Sequence, residues 1–364
     1  MSGIFGMNIK MSIYGESHGK AVGVVLDGLP PGLALDEEAI AREMARRAPG
    51  QSALTTARKE KDAVEIQSGF FNGYTTGTPL CARIANSDQH SKDYSILKDK
   101  MRPGHGDYAG YVHYQGYNDY RGGGHFSARL TAGLVFAGAV AKQALAQYGI
   151  TIGAHILRIH DIVEPSFNPL GESEATLKAI DAKSFPVMDD AIGEQMQSCI
   201  LTAKGVLNSV GGVIEAMAIN LPAGLGAPYF DSVESHLSQI LFSVPAVKGI
   251  EFGDGFGFAQ LTGAEANDQM HYEEGRVRCY TNHNGGITGG LTNGMPLVFR
   301  VAMKPTASIS REQKTVSMAE HSDTTLTVVG RHDPCIVQRA VPVIEAVTAW
   351  TLWDLLIEAK KWEK

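Results

Sequence analysis

Hydrophobic and polar positions along the chain follow two periods. Residues 8–14 and 21–26 read as strands around the turn Gly15-Glu16-Ser17-His18-Gly19, and Gly28-Leu29-Pro30-Pro31-Gly32 makes a second turn. Asp36 then predicts a helix N-cap. Glu37 and Glu38 stand in the first turn, Ile40 and Met44 share a face, and Pro49-Gly50 supply the stop. Over 128–148 the apolar residues Leu130, Leu134, Val135, Phe136, Val140 and Leu145 run nearly all round, the pattern of a helix buried on most of its surface. A further helix is expected over 231–242, with strands over 213–219, 296–303 and 324–329. The last helix is expected to start near Pro342, a residue tolerated in a first turn, and to run to about Lys360. The sum is a mixed α/β chain with helices enclosed by largely antiparallel sheets. No Gly-x-Gly-x-x-Gly stands between a strand and a helix, so no nucleotide-binding βαβ unit is expected. No repeat, linker or break in composition divides the chain, and one domain over 1–364 is expected.

Composition narrows the class. The 364 residues are 44% hydrophobic and 20% charged, enough apolar material for a sizeable core. The longest apolar stretch, 132–141, is far short of the roughly 20 residues that cross a bilayer. The N-terminus shows no basic region followed by an apolar run, so a cytoplasmic protein with no membrane partner is expected. Cys81, Cys199, Cys279 and Cys335 are scattered, which suits reduced thiols rather than a disulfide frame or zinc site. A net charge of −7 argues against nucleic acid as a partner. It leaves room for an anionic small substrate, because a local arginine cluster focuses positive potential within an acidic protein. The 41 glycines are in excess, and their positions matter.

Four stretches carry candidate chemistry. The first, Gly15-Glu16-Ser17-His18-Gly19, has the Gly-x-Ser-x-Gly spacing of a hydrolase nucleophile elbow. An elbow needs a helix after it, whereas 21–26 reads as a strand. The same residues also fit a plain hairpin turn, or a Ser17–His18 pair presenting proton donors to a pocket. The second runs Arg102-Pro-Gly-His105-Gly-Asp107-Tyr, then Asp119-Tyr-Arg121-Gly-Gly-Gly-His125-Phe126-Ser127-Ala-Arg129. Three glycines ahead of a buried helix let the backbone approach a ligand closely, and the helix start offers amides to an anion. Ser127 and Arg129 add a hydroxyl and a fixed cation suited to phosphate or carboxylate. The density of arginine, histidine and tyrosine here favours a site. His113, His155 and His236 are read as structural. The third, Lys304-Pro305-Thr306-Ala307-Ser308, suits a phosphate or an isoalloxazine edge, or else a surface turn. The fourth, Gly330-Arg331-His332-Asp333-Pro334-Cys335, falls at a strand-to-helix junction. A metal held by His332 and Asp333 with His18 or His105 has no supporting spacing, and none is expected.

In this order, together with Asn282-His-Asn-Gly-Gly-Ile-Thr-Gly289-Gly, these stretches resemble the chorismate synthase family over nearly the whole chain. The resemblance implies a carbon–oxygen lyase of the shikimate pathway, acting before aromatic amino acid biosynthesis. It would convert 5-enolpyruvylshikimate 3-phosphate to chorismate and phosphate by a 1,4-anti elimination that requires reduced FMN. By resemblance His18 protonates the leaving phosphate and His105 keeps the flavin in its productive protonation state. Asp333 assists proton removal through flavin N5, and Ser17 and Ser127 complete the proton network. Arg47 and Arg129 match substrate-binding positions. The flavin contacts carried over are His125, Phe126, Ser127, Ala246, Gly289, Lys304, Pro305, Thr306, Ala307, Ser308 and Arg331. The family fold implied is a β-α-β sandwich, central helices between two largely antiparallel sheets, assembled as a homotetramer.

The chain departs from the family pattern twice. His125-Phe126-Ser127-Ala-Arg129-Leu-Thr replaces Arg-Ser-Ser-Ala-Arg-Glu-Thr, and Arg46-Arg47-Ala48-Pro-Gly-Gln-Ser-Ala53 lacks two cations of Arg-Arg-Arg-Pro-Gly-x-Ser-Arg. A protonated His125 would replace part of the lost charge, and Arg58 or Lys59 would share the load of Arg47. With no dinucleotide fingerprint, NADPH is expected only as an indirect reductant, through an external flavin reductase. Two rivals remain: a homologue that binds flavin or phosphate without releasing phosphate, and a serine hydrolase in which a fluorophosphonate labels Ser17.

Overall fold

The computed structural model describes residues 3–50, 54–55, 60–87, 96–328 and 332–361. Two five-stranded antiparallel sheets enclose a layer of helices. The first sheet joins β1 (Ile4–Phe5), β2 (Lys10–Gly15), β3 (Ala21–Asp27), β4 (Val64–Ser68) and β7 (Leu80–Ala85) in the order β1-β2-β3-β7-β4. The second joins β8 (Thr151–Ile159), β9 (Ile162–Val163), β10 (Gly212–Ile219), β11 (Val247–Phe252) and β16 (Leu297–Met303) in the order β11-β16-β10-β8-β9. Four small hairpins decorate them: β5 (Phe70–Phe71) with β6 (Tyr74–Thr75), β12 (Met270–Glu273) with β13 (Arg276–Cys279), β14 (Ile287–Thr288) with β15 (Leu291–Thr292), and β17 (Glu312–Ser317) with β18 (Ser322–Thr327). The helices are α1 (Glu37–Arg47), α2 (Asp107–His113), α3 (Thr131–Ala146), α4 (Glu174–Asp181), α5 (Asp190–Gly205), α6 (Val233–Leu241), α7 (Gly263–Ala266) and α8 (Val337–Lys360).

The middle layer follows from the apolar pattern. Thirteen of the sixteen residues of α3 are buried, and it packs on α8 and on the inner face of the first sheet. Helix α8 packs on β8 and β10 of the second sheet. The two helices cross at Gly138, where a Cβ would lie 2.2 Å from Cα of Ala346. Asp36 caps α1, its carboxylate accepting from the amides of Glu38 (2.9 Å) and Ala39 (3.0 Å). At the far side, the buried Asp354 of α8 accepts from the backbone amides of Met7, Asn8 and Ile9 and so ties down the first strands. By length and composition α8 could cross a membrane, but 94% of its most apolar window is buried between the sheets.

Three sequence expectations shift. Helix α8 starts at Val337, so Pro342 is an interior residue rather than a first-turn residue. The strand expected over 324–329 is the exposed β18, part of a hairpin outside both main sheets. The helix expected over 231–242 is α6, which starts at Val233 with Ser232 as its cap, the hydroxyl accepting from Ser235 N.

One knot of charge sits among the helices. Glu345 of α8, fully buried, accepts from Arg46 (2.6 and 2.9 Å) and Lys142 (2.6 Å), while Arg46 also reaches Asp181 (3.0 Å) and Lys142 reaches Glu43 (2.9 Å). Burial and the neighbouring Glu345 push the Asp181 carboxyl up to about 8. Asp181 therefore stays protonated, and Arg46 and Lys142 offset Glu43 and Glu345. The carboxylates are close enough to hold a metal ion, but the two cations already neutralise them. His155 is likewise structural: its ring lies between Glu164 and Glu215 in the second sheet, and these carboxylates raise its pKa.

Candidate active site

The site is organised by one strap. After α2 the chain makes a 3₁₀ turn over Arg121–Phe126, and a second over Ala128–Leu130 leads into α3. Gly122, Gly123 and Gly124 have φ of 59°, 84° and 53°, the left-handed region that favours glycine. A Cβ on Gly122 would lie 2.3 Å from Cδ2 of His18 and 3.0 Å from Oγ of Ser17. One on Gly123 would lie 3.3 Å from Cε1 of His105, and one on Gly124 would strike the carbonyl oxygen of Asp119 at 2.1 Å. The glycines were expected to make room for a ligand. The space they leave is filled instead by the protein's own His18 and His105, which meet consecutive residues of the strap.

Ser17 and His18 lie in the tight connection between β2 and β3, which pair antiparallel, and no helix follows. This geometry is not a nucleophile elbow, and it removes the hydrolase reading. Ser17 is fully buried, its amide donates to the Gly124 carbonyl (3.2 Å), and its hydroxyl has no hydrogen-bond partner among the described residues.

His105 is oriented by charge. Its Nδ1 lies 2.6 Å from Asp107, which also takes two bonds from the Arg102 guanidinium (2.7 and 2.8 Å). These partners hold the Asp107 carboxyl far below the usual carboxylate range despite its burial. An ionised Asp107 accepts the Nδ1 proton, so Nε2 of His105 is the atom turned to the strap, 3.4 Å from the Gly123 Cβ position. The remaining amino group of Arg102 donates to Ser308 Oγ (3.1 Å) and so joins this cluster to 304–308.

In front of the strap opens a cavity of about 640 Å³. Arg47, His105, His125, Phe126, Ser127, Arg129, Ala246, Lys304, Pro305, Thr306, Ala307, Ser308 and Asp333 all line it. Ser17 and His18 lie directly behind Gly122, which lines it too, and Gly289, in the β14–β15 turn, does not. Arg331, like Ala53, Arg58 and Lys59, lies outside the described residues. Among the described residues six cations border the cavity: Arg47, Arg102, Arg129, Lys248, Lys304 and Arg339. Four carboxylates answer them, Glu60 and Asp333 on the wall and Asp62 and Asp107 behind it. A positive excess in an acidic protein marks a place for an anion.

The family model for chorismate synthase matches residues 9–357. Chorismate synthases of Pyrococcus abyssi and Dehalococcoides mccartyi are 45% and 44% identical over 359 residues, covering 98% and 99% of this chain and 98% of each relative. A solved crystal structure of chorismate synthase superposes with a TM-score of 0.77 at 30% identity, covering 98% of this chain and 93% of that one. The chain belongs to the chorismate synthase family.

Set against that family, the departure at His125-Phe126 takes physical form. His125 Nδ1 sits 3.0 Å from the Gly15 carbonyl, so the ring donates there and ties the strap to the end of β2. Phe126 lies in a notch of α2: a Cβ on Gly106 would come within 3.2 Å of its ring and one on Gly110 within 2.5 Å. The helix start expected to hold an anion is capped internally, Ser127 Oγ accepting from Arg129 N at 3.3 Å. Pattern reading quoted Arg102 without giving it a role, and passed over Arg339, Glu60 and Asp62. Arg339 donates to Asp333 (2.7 Å) and to the Arg47 carbonyl (3.0 Å), while Asp62 bridges Arg47 and Arg129. Arg102 and Asp107 stand inside a quoted motif and were legible as a pair; Asp62 carries no local signal.

Proposed function

We propose that this chain catalyses the 1,4-anti elimination of phosphate from 5-enolpyruvylshikimate 3-phosphate, giving chorismate, with reduced FMN bound in the cavity. The observation that carries this reading is the strap, which brings two imidazoles to the back wall of a cavity with a cationic excess. The residues at 246 and 304–308 fit a flavin. Ala246 holds φ of 76°, strained for a residue with a Cβ, and its carbonyl accepts from Lys304 N (2.9 Å). Thr306 lines the cavity, and its buried Oγ1 has no hydrogen-bond partner among the described residues.

When bound, the reduced flavin supplies an electron-rich ring beside the electron-poor system left by phosphate departure. The chain's own groups do the rest. Arg47 and Arg129 bind the anionic groups of the substrate and stabilise the departing phosphate. His18, behind Gly122, is the proton donor to the leaving group. His105, its Nδ1 proton held by Asp107, presents Nε2 to the cavity as the atom that exchanges a proton there. Asp333, held by Arg339, is the carboxylate that would assist removal of the ring proton. Ser17 and Ser127 supply hydrogen bonds at the two ends of the strap. NADPH enters only through an external flavin reductase. A homotetramer, as the family resemblance implies, would cover exposed aromatics such as Phe230 (90%) and Phe256 (87%). One apolar core running from Ile9 to Leu356 supports a single domain, and the lyase reading supports a cytoplasmic enzyme.

An anaerobic assay with reduced FMN and substrate, following chorismate absorbance, tests the reading. His18→Ala and His105→Ala are each expected to slow turnover by about 10²–10⁴-fold. Near-normal rates in both would overturn the assignment, and FMN binding without phosphate release would favour the inactive homologue.

A further inference from the structure

We infer that Asp62 is the positioning residue for the substrate-binding arginines: a single carboxylate behind the cavity wall that fixes Arg47 and Arg129 side by side. The inference rests on the reading of those two arginines as the anion-binding pair. One Asp62 oxygen accepts from Arg47 Nη1 and the other from Arg129 Nη1. Its carboxylate is fully out of solvent and does not line the cavity, so it holds the guanidinium groups without competing for an incoming anion. Its backbone sits at φ of 49°, a conformation uncommon outside glycine that persists where the surroundings over-determine it.

The other contacts of the two arginines complete a frame. Arg47 Nε donates to Thr131 Oγ1 (3.1 Å); Arg129 donates to Asn86 Oδ1 (2.8 Å) and the Ala85 carbonyl (3.1 Å). These neutral acceptors aim the side chains but do not offset their charge. Glu60 lies 3.3 Å from Arg129 and, among the described residues, pairs with no other arginine. Arg47, Arg129 and Arg339 repel one another: burial together with the two neighbouring cations brings the Arg47 guanidinium down to about 10. Asp62 is the one carboxylate among the described residues that touches both arginines of the pair. The same attraction keeps Asp62 ionised below its ordinary value.

The test is a coupling measurement. Calorimetry with 5-enolpyruvylshikimate 3-phosphate on the full flavin-free chain gives the dissociation constant, and steady-state kinetics with reduced FMN give KM and kcat. Asp62→Asn keeps one acceptor but turns N–H donors toward the second guanidinium, and is expected to weaken substrate binding about 10- to 100-fold. In an Arg129→Gln background the same change is expected to add less than about 2-fold, because the one acceptor it keeps still serves Arg47 and the guanidinium its N–H would oppose is gone. Normal affinity in both Arg47→Ala and Arg129→Gln would defeat the reading of the arginines. Lost affinity in those two with unchanged or tighter binding in Asp62→Asn would defeat the role of Asp62 alone. Effects that simply multiply in the double variant would also defeat it, as they mark an independent structural role. If Asp62→Asn does not fold, the charge-balanced double variant is compared with Arg129→Gln: equal affinities support the coupling, and a further loss refutes it.

Discussion

Gly122→Ala separates the strap's chemistry from its stability. The added Cβ would sit 2.3 Å from Cδ2 and 2.5 Å from Nε2 of His18. Carbon atoms in contact settle at about 3.5–4.0 Å, so the ring or the strap must move by about 1 Å or more. A misplacement of that size at a reacting group costs up to about 10²-fold in rate. Alanine at the φ of 59° also costs about 1–2 kcal/mol of backbone strain. Gly149→Ala is the matched control. Its φ is 71°, and nothing lies within 4 Å of the Cβ position, so it bears the strain without the collision. Thermal melts and the anaerobic chorismate assay are run on both. Each variant should lose stability, and only Gly122→Ala should lose turnover, by about 10²-fold. Wild-type kcat in Gly122→Ala would refute the claim that the strap sets the position of His18.

Asp354→Ala leaves three backbone amides without their acceptor and should lower stability by about 3 kcal/mol or more, read in urea unfolding, with turnover of the folded fraction unchanged. A loss below about 1 kcal/mol would show that water replaces the carboxylate. Native Asp181 keeps its proton to about pH 8, whereas an unfolded aspartate loses it near pH ~4. The native state therefore binds the extra proton between those values, and this group's contribution to stability falls as pH rises across the window. Asp181→Asn should flatten that fall in a Tm–pH series, and an equally steep curve would contradict the protonated state. Gly110→Ala drives a Cβ to within 2.5 Å of the Phe126 ring and should weaken FMN binding by up to about tenfold, measured by fluorescence quenching. Unchanged affinity would separate Phe126 from the flavin.

How much of this was legible in the chain depended on how local each signal is. The all-round apolar run of α3 identified the buried helix because a helix covered on every side needs no polar face. The Asp36 cap was legible because its partners are two and three residues away. Pro342 misled because proline most often opens a helix; here α8 carries it as its sixth residue. The glycine strap was recognised as a place of close approach, but a missing Cβ looks the same in sequence whether a ligand or His18 fills the gap. Asp62 was invisible for a different reason. Its meaning comes from Arg47 and Arg129, fifteen and 67 residues away, which only the folded sheet and helices bring to one carboxylate. The knot at Glu345 is likewise assembled from α1, α3, α4 and α8.

The central claim is that the cavity before the strap holds the flavin and substrate within reach of both imidazoles. A crystal structure of the chain with FMN and 5-enolpyruvylshikimate 3-phosphate tests it most directly. The account predicts the isoalloxazine in the cavity bounded by His105, Ala246 and Lys304, with the substrate on Arg47 and Arg129 and its phosphate facing His18. An isoalloxazine bound elsewhere, out of contact with both His18 and His105, would contradict it.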